Sequence, residues 1–186
     1  MARNAQFAQR LSVLRAYQEQ LKETVPTGPL VTFTDRMTIR RGDREIQIVC
    51  PGRGHSDGDA IVYLPKEKVV ATGDFFEGPV TGALNFGFHD EWVANLETLK
   101  ALDYETVIPG HGQPFAGKER IDHFQSFLRD LWQQARKLYD EKVSAADAAG
   151  RIDLTAHKAH FAAYGQPGIA EPTVTRLYAQ FDTGKK

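Results

Sequence analysis

Three stretches of the sequence decide the fold: IVCPGRGH at residues 48–55, VVATGD at residues 69–74 and VIPGHG at residues 107–112. In each stretch a short apolar run, typical of a β-strand, leads directly into a turn that contains glycine. Each turn holds a side chain that can bind a metal ion, in order His55, Asp74 and His111. Because a rigid sheet fixes the loops at its strand ends, this layout predicts that the three side chains converge on one place.

Two imidazoles and one carboxylate form a ligand set that suits zinc, iron or manganese. Each residue taken alone also has an ordinary explanation. A histidine between glycines commonly lies in a turn facing solvent, and an aspartate after Thr-Gly commonly stabilises a turn or a helix start. The repetition of one layout three times favours a metal site.

The remaining sequence predicts strands first and helices afterwards, with one further strand among the helices. This mixture predicts an α/β (α+β) fold in which helices cover a sheet. The predicted elements are a helix over 3–24, a hairpin turning at 41–44, strands at 60–64, 69–72 and 106–108, and helices over 91–102, 118–141, 155–164 and 173–181.

Three local details belong to this prediction. Asp90 is expected to cap the helix over 91–102. The stretch 75–90 is rich in glycine and phenylalanine without any period, which predicts a surface loop that carries specificity. The apolar positions of the helix over 118–141 recur at spacings of three and four, so this helix needs a surface to pack against.

The length of 186 residues predicts a single domain. We divide it into an N-terminal helix (1–25), the sheet with its metal-ligand loops (30–115) and a helical C-terminal part (116–186). The net charge of −1 comes from interspersed charges, so neither nucleic acid nor a membrane surface is an expected partner. A single cysteine excludes an intramolecular disulfide, and the lack of a signal peptide or an apolar span predicts a cytoplasmic protein.

The strings GRGHSDGDAIVYLP (52–65), VVATGDFF (69–76) and TVIPGHGQP (106–114) resemble the later motifs of the metallo-β-lactamase superfamily, over about residues 37–127. This resemblance implies a four-layer αββα sandwich and metal-dependent hydrolysis of ester, thioester, amide or phosphoester bonds. It also implies that His55 binds the first metal ion, Asp74 bridges two ions and His111 binds the second. An aspartate at position 74 is similar to the glyoxalase II branch and unlike the cysteine of true β-lactamases, so β-lactam cleavage is not expected.

The sequence departs from the family by lacking HxHxDH, the motif that supplies the other ligands, and no histidine precedes His55. We therefore interpret the chain as the C-terminal half of such a hydrolase, truncated or split. The intact family implies one or two zinc ions, with iron or manganese as alternatives. Binding by this chain alone is expected to be weak or absent. No catalytic side chain is assigned.

An isolated half would leave the inner face of its sheet uncovered, which predicts a partner. One candidate is a complementary N-terminal half that bears HxHxDH, which would act with this chain on a small-molecule substrate. The alternative is a non-catalytic remnant that pairs with a second copy of itself as a homodimer.

Five other side chains are further candidates for a functional site. His157 and His160 have a spacing that could chelate a metal, but an exposed helix face is favoured. His89 is interpreted as a polar loop residue and His123 as a helix surface residue. A thiol catalyst based on Cys50 is the weakest reading, because a cysteine that ends an apolar strand is usually buried and unreactive.

Overall fold

The structure is a computed structural model that describes residues 2–78 and 84–183, with side chains from residue 8 onward. The described residues fall into two compact units, the first ending at Thr32 and the second beginning at Phe33. The first unit contains helix α1 (Ala2–Leu21), followed by chain without regular structure. The helix predicted over 3–24 is confirmed. Its apolar side chains from Leu11 to Leu21 are exposed, which agrees with a surface helix.

Within the described part of the second unit, six strands form one sheet in sequential order. They are β1 (Arg36–Arg41), β2 (Arg44–Val49), β3 (Ile61–Leu64), β4 (Val69–Gly73), β5 (Thr106–Pro109) and β6 (Phe115–Ala116). The pair β4–β5 is parallel and the other neighbours are antiparallel. The predicted hairpin and strands are confirmed, whereas the two-residue strand β6 was not predicted because it is too short to show a period.

The helices of this unit follow the strands: α2 (His89–Lys100), α3 (Glu119–Asp140), α4 (Ala145–Ala149) and α5 (Glu171–Thr183). Helix α2 begins one residue before Asp90 and Phe88 is its cap, so the predicted aspartate cap is wrong. The predicted helix over 155–164 is also wrong, since two short 3₁₀ turns, Thr155–His157 and Ala162–Tyr164, replace it. No helix in the described ranges is long and apolar enough to cross a membrane.

One face of the sheet and the helices form a common hydrophobic core. Alternate strand residues supply the sheet's share: Val49, Ile61, Tyr63, Val70, Val107 and Phe115. The helices contribute fully buried side chains: Trp92, Leu96, Leu99, Ile121, Phe124, Leu128, Leu131, Val174 and Leu177. The apolar positions of α3 are therefore covered within this unit.

The opposite face of the sheet, which we call the open face, is apolar but lies outside that core. The strand register places five side chains in one row across β1 to β5: Met37, Ile48, Val62, Ala71 and Ile108. Val62 is 37% exposed and Ile108 is 43% exposed. An apolar row across a sheet, rather than one scattered apolar residue, is the kind of surface that binds another layer.

In the described parts of the stretch 75–90, residues near both ends are buried, unlike the surface loop that the sequence predicted, whereas Phe86 is 67% exposed. Asp74–Phe76 forms a 3₁₀ turn whose two phenylalanines are each 1% exposed, and Leu84 and His89 are also buried. The aromatic pair turns into the core directly after β4, so the segment beside the strand end is fixed by packing. Residues 79–83 lie outside the described residues.

Candidate metal centre

The three predicted ligands come from loops at one edge of the sheet. His55 lies between β2 and β3, Asp74 follows β4, and His111 follows β5. Because β4 and β5 are parallel, their carboxyl ends lie side by side, with Gly73 paired to Pro109. This topology explains how Asp74 and His111, which are 37 positions apart in the sequence, come to lie close together.

The structure brings all three side chains together around the carboxylate of Asp74. The Nε2 atom of His55 lies 3.9 Å from Asp74 Oδ2, and the Nε2 atom of His111 lies 3.4 Å from Asp74 Oδ1. One carboxylate oxygen therefore faces each imidazole. Such a carboxylate can bind one metal ion or be shared between two.

Glu77 is a fourth member of the cluster that sequence reasoning missed. Its Oε1 atom lies 3.5 Å from His55 Nε2, and its side chain is only 3% exposed. One donor atom each from His55, Asp74 and Glu77 lies within 4.8 Å of the other two. The signal that could have revealed Glu77 is its spacing of three residues from Asp74, because side chains three residues apart in a 3₁₀ turn project to the same side.

The distances fit a divalent metal ion. Tetrahedral zinc with bonds of about 2.0–2.1 Å holds its donor atoms about 3.3–3.4 Å apart. Within the group of His55, Asp74 and Glu77, the separations of 3.5 Å (His55 to Glu77) and 3.9 Å (His55 to Asp74) need only small adjustments to reach that geometry. The Nε2 atom of His55 is also buried without a hydrogen bond to any described residue, as expected for a nitrogen reserved for a metal.

Close packing positions these ligands. A Cβ atom at Gly110 would come within 2.0 Å of Asp74 Oδ1, so only glycine lets the β5 loop approach that carboxylate. Behind His55, Trp92 is fully buried, and its Nε1 donates a hydrogen bond of 3.0 Å to the carbonyl of Phe75. The Trp92 and His55 rings meet edge to face, with centroids 6.2 Å apart.

The loop after His55 is held by its own hydrogen bonds. Asp59 accepts from the backbone N–H of Ser56 at 3.2 Å and from the Ser56 hydroxyl at 2.6 Å. Asp59 is 9% exposed, so this small network lies mostly out of water, where it orders the loop.

Residues 4–111, more than half of the chain, match the sequence profile of the Metallo-beta-lactamase superfamily. The chain belongs to this superfamily. A linear primary-alkylsulfatase from a Pseudomonas species is 23% identical over 163 residues, which cover 81% of this chain and 31% of that protein. A metallo-beta-lactamase type 2 from Bacteroides fragilis is 27% identical over 110 residues, which cover 56% of this chain and 44% of that protein.

Two solved structures share the fold. A stereoselective inverting sec-alkylsulfatase from a Pseudomonas species matches with a TM-score of 0.63 and 18% identity, covering 86% of this chain and 27% of that one. A metallo-beta-lactamase from Pontibacter korlensis matches with a TM-score of 0.50 and 23% identity, covering 59% and 53% of the two chains. The chain spans 31% to 53% of the length of the first two curated relatives that it matches.

The histidines outside the superfamily's motifs do not belong to the cluster. His157 is on a 3₁₀ turn and not on an exposed helix face, and its Nε2 pairs with Asp130 Oδ2 at 3.0 Å. His123 is a half-buried residue of α3, and its ring stacks on that of His160 with centroids 3.4 Å apart. The interpretation of His157 and His160 as an exposed helix face is therefore wrong.

The interpretation of His89 as a polar loop residue is also wrong, because His89 is the first residue of α2 and is 1% exposed. Burial, together with the nearby positive charge of Arg176, lowers the pKa of His89 to about 4. The folded protein therefore keeps this imidazole neutral at pH values where an unfolded chain binds a proton.

This difference predicts acid sensitivity. The contribution of His89 to the free energy of unfolding should be constant above pH 6.5, the ordinary pKa of histidine. Between pH 6.5 and 4 the free energy of unfolding should fall by up to about 3 kcal/mol. Denaturant unfolding at several pH values measures it. His89→Phe should flatten this part of the profile, whereas His160→Phe, at an exposed position, should not. Equal slopes in the wild type and His89→Phe would show that another group causes the acid sensitivity.

Proposed function

We propose that this chain carries the later ligands of a zinc-dependent hydrolase centre that acts on an ester-type bond of a small molecule. The observation that supports this most strongly is the position of Asp74 between the two imidazoles, with Glu77 beside His55. Membership of the superfamily supports metal-dependent hydrolysis as the general activity.

In this proposal His55, Asp74 and Glu77 would hold one ion. The other oxygen of Asp74 faces His111, and these two residues would hold a second ion. Three protein ligands with one open position are the usual composition of a catalytic zinc site. When bound, zinc activates water as a nucleophile near neutral pH and stabilises negative charge on the substrate. Iron or manganese would accept the same nitrogen and oxygen donors.

The chain's own residues orient the ligands and keep water away from one side. Glu77 is buried next to His55, so its carboxylate contributes charge where little solvent screens it. Trp92 and Phe75 close the site behind the His55 imidazole. His111, whose side chain is 58% exposed, lies on the solvent side, where a substrate can enter.

We further propose that a segment bearing HxHxDH packs on the open face and supplies the remaining ligands. The segment would pack on the apolar row from Met37 to Ile108. It would supply the metal ligands of the HxHxDH motif, which this sequence lacks. Burial of the open face would also exclude water from this side of the sheet.

A second candidate is a non-catalytic protein in which two copies associate through their open faces. The exposure of Val62 and Ile108 favours it, because a second sheet would cover both. In a symmetric pair the same surface serves both partners, so a homodimer needs no other component.

For the substrate, we propose sulfate esters as the first class to assay. The alkylsulfatases match larger shares of this chain, 81% and 86%, than the β-lactamases named above.

Calorimetric titration with Zn²⁺ tests the proposed centre. The wild-type chain should bind about one zinc ion, and His55→Ala combined with His111→Ala should abolish that binding. The matched control, His123→Ala with His160→Ala, removes as many histidines outside the cluster and should bind like the wild type. A folded wild-type chain without zinc binding, or equal loss in both double variants, would contradict the proposal.

A further inference from the structure

A cavity of about 300 Å³ lies next to the candidate metal centre. Its lining residues are Phe76, Gly78, Arg120, His123, Ala159, His160 and Phe161. The chain from Asp74 to Gly78 connects the two places, since Asp74 and Glu77 belong to the metal cluster whereas Phe76 and Gly78 line the cavity. Gly78 also packs directly behind His111, because a Cβ atom there would lie 2.4 Å from the His111 carbonyl oxygen.

The cavity has a permanent positive charge on its wall. Arg120 projects from the first turn of α3, and its guanidinium lies over the Phe115 ring, 4.8 Å from the centroid. Arg120 forms no ion pair with any described residue. Because a guanidinium is charged at every relevant pH and presents a fork of N–H donors, it is well suited to a planar or tetrahedral oxyanion.

Two imidazoles complete the polar side of the cavity. The rings of His123 and His160 are stacked, with centroids 3.4 Å apart, so each fixes the orientation of the other. His123 Nε2 also lies 3.4 Å from Oε1 of Glu119, which is 86% exposed and therefore screened by water. A neutral imidazole offers one N–H donor and a protonated imidazole offers two, so each ring can donate a hydrogen bond to an anion.

We propose that this cavity binds the anionic group of an organic substrate, either a sulfate, a phosphate or a carboxylate. The inference rests on the proposed function, because the anionic group in the cavity is separate from the bond of the same molecule that would be cleaved at the adjacent metal centre. Arg120, His123 and His160 bind the anion, while Phe76 and Phe161 contact an apolar part of the same molecule. A site with few polar groups on aromatic walls is typical for small-molecule recognition.

Calorimetric titration of the full chain in EDTA, with inorganic sulfate and with p-nitrophenyl sulfate, tests the cavity separately from the metal centre. Arg120→Gln should weaken binding of both by about tenfold, the effect of losing a charge-assisted hydrogen bond. Arg129→Gln, an exposed arginine on the same helix, should bind like the wild type. Equal binding by wild type and Arg120→Gln would overturn the proposal.

The organic part of the ligand gives a second criterion. p-Nitrophenyl sulfate should bind more tightly than inorganic sulfate, because its ring contacts Phe76 and Phe161. Equal affinities would overturn the assignment to an organic substrate. Arg120→Gln should also keep wild-type zinc binding. A chain that binds the sulfate ester but no zinc would thus contradict the proposed function while leaving the cavity assignment intact.

Discussion

Asp74→Ala is expected to weaken zinc binding more than a hundredfold, since removing even an indirect partner of a metal ligand costs about 10–100-fold. Asp74 faces both imidazoles, with Oδ2 toward His55 and Oδ1 toward His111, so its removal affects both parts of the cluster. Competition against a chromophoric chelator, followed at equilibrium, measures this loss.

The matched control for this experiment is Asp57→Ala. Asp57 is an exposed carboxylate two residues from His55 and is not part of the cluster, so its removal changes the local charge without removing a donor. The control should bind zinc within about threefold of the wild type, the range usual for screened surface charges. Similar losses in both variants would mean that general electrostatic attraction, and not coordination, holds the ion.

Under the proposed pairing of two copies through their open faces, Val62→Lys combined with Ile108→Lys is expected to convert the dimer into a monomer. Both side chains belong to the open face and are already 37% and 43% exposed, so lysine can reach water in the isolated chain. In a face-to-face pair the same ammonium groups would be buried without partners, which costs several kcal/mol and lowers the association constant by about a hundredfold or more. Sedimentation equilibrium over a concentration series measures the change.

Two controls separate the open face from other exposed apolar surfaces. Phe86→Lys changes a residue that is 67% exposed outside the sheet, and Leu11→Lys with Leu14→Lys changes the exposed side of α1. Both should associate like the wild type. A wild-type chain that is monomeric at all concentrations would contradict association through the open face, and so would an unchanged association constant in the double lysine variant.

The sequence predicted the strands and the three motif ligands because their signals are local. An apolar run followed by glycine and a metal-capable side chain can be recognised over eight residues, as at His55. Glu77 was missed because no motif marks it, and it joins the cluster through the 3₁₀ turn that Asp74 begins. The burial of Phe75 and Phe76 was missed for the same reason, since a single turn is too short to show a hydrophobic period.

Tertiary packing decided the elements that the sequence predicted wrongly. Around residues 155–164 the alanine content favours a helix, but Phe161 turns into the core against Phe127 and the chain bends into two short turns. The role of His89 also depends on packing, because α2 starts two residues earlier than predicted and places this imidazole inside the protein. Local propensity therefore predicts the sheet better than the connections between helices.

The most direct test of the central claim is an anomalous difference map from crystals of the chain grown with zinc. The proposal predicts a peak about 2.0–2.2 Å from His55 Nε2 and from carboxylate oxygens of Asp74 and Glu77, the ordinary lengths of zinc bonds to these donors. A peak only at His123 and His160, or the absence of any peak within reach of His55 at full zinc saturation, would contradict it.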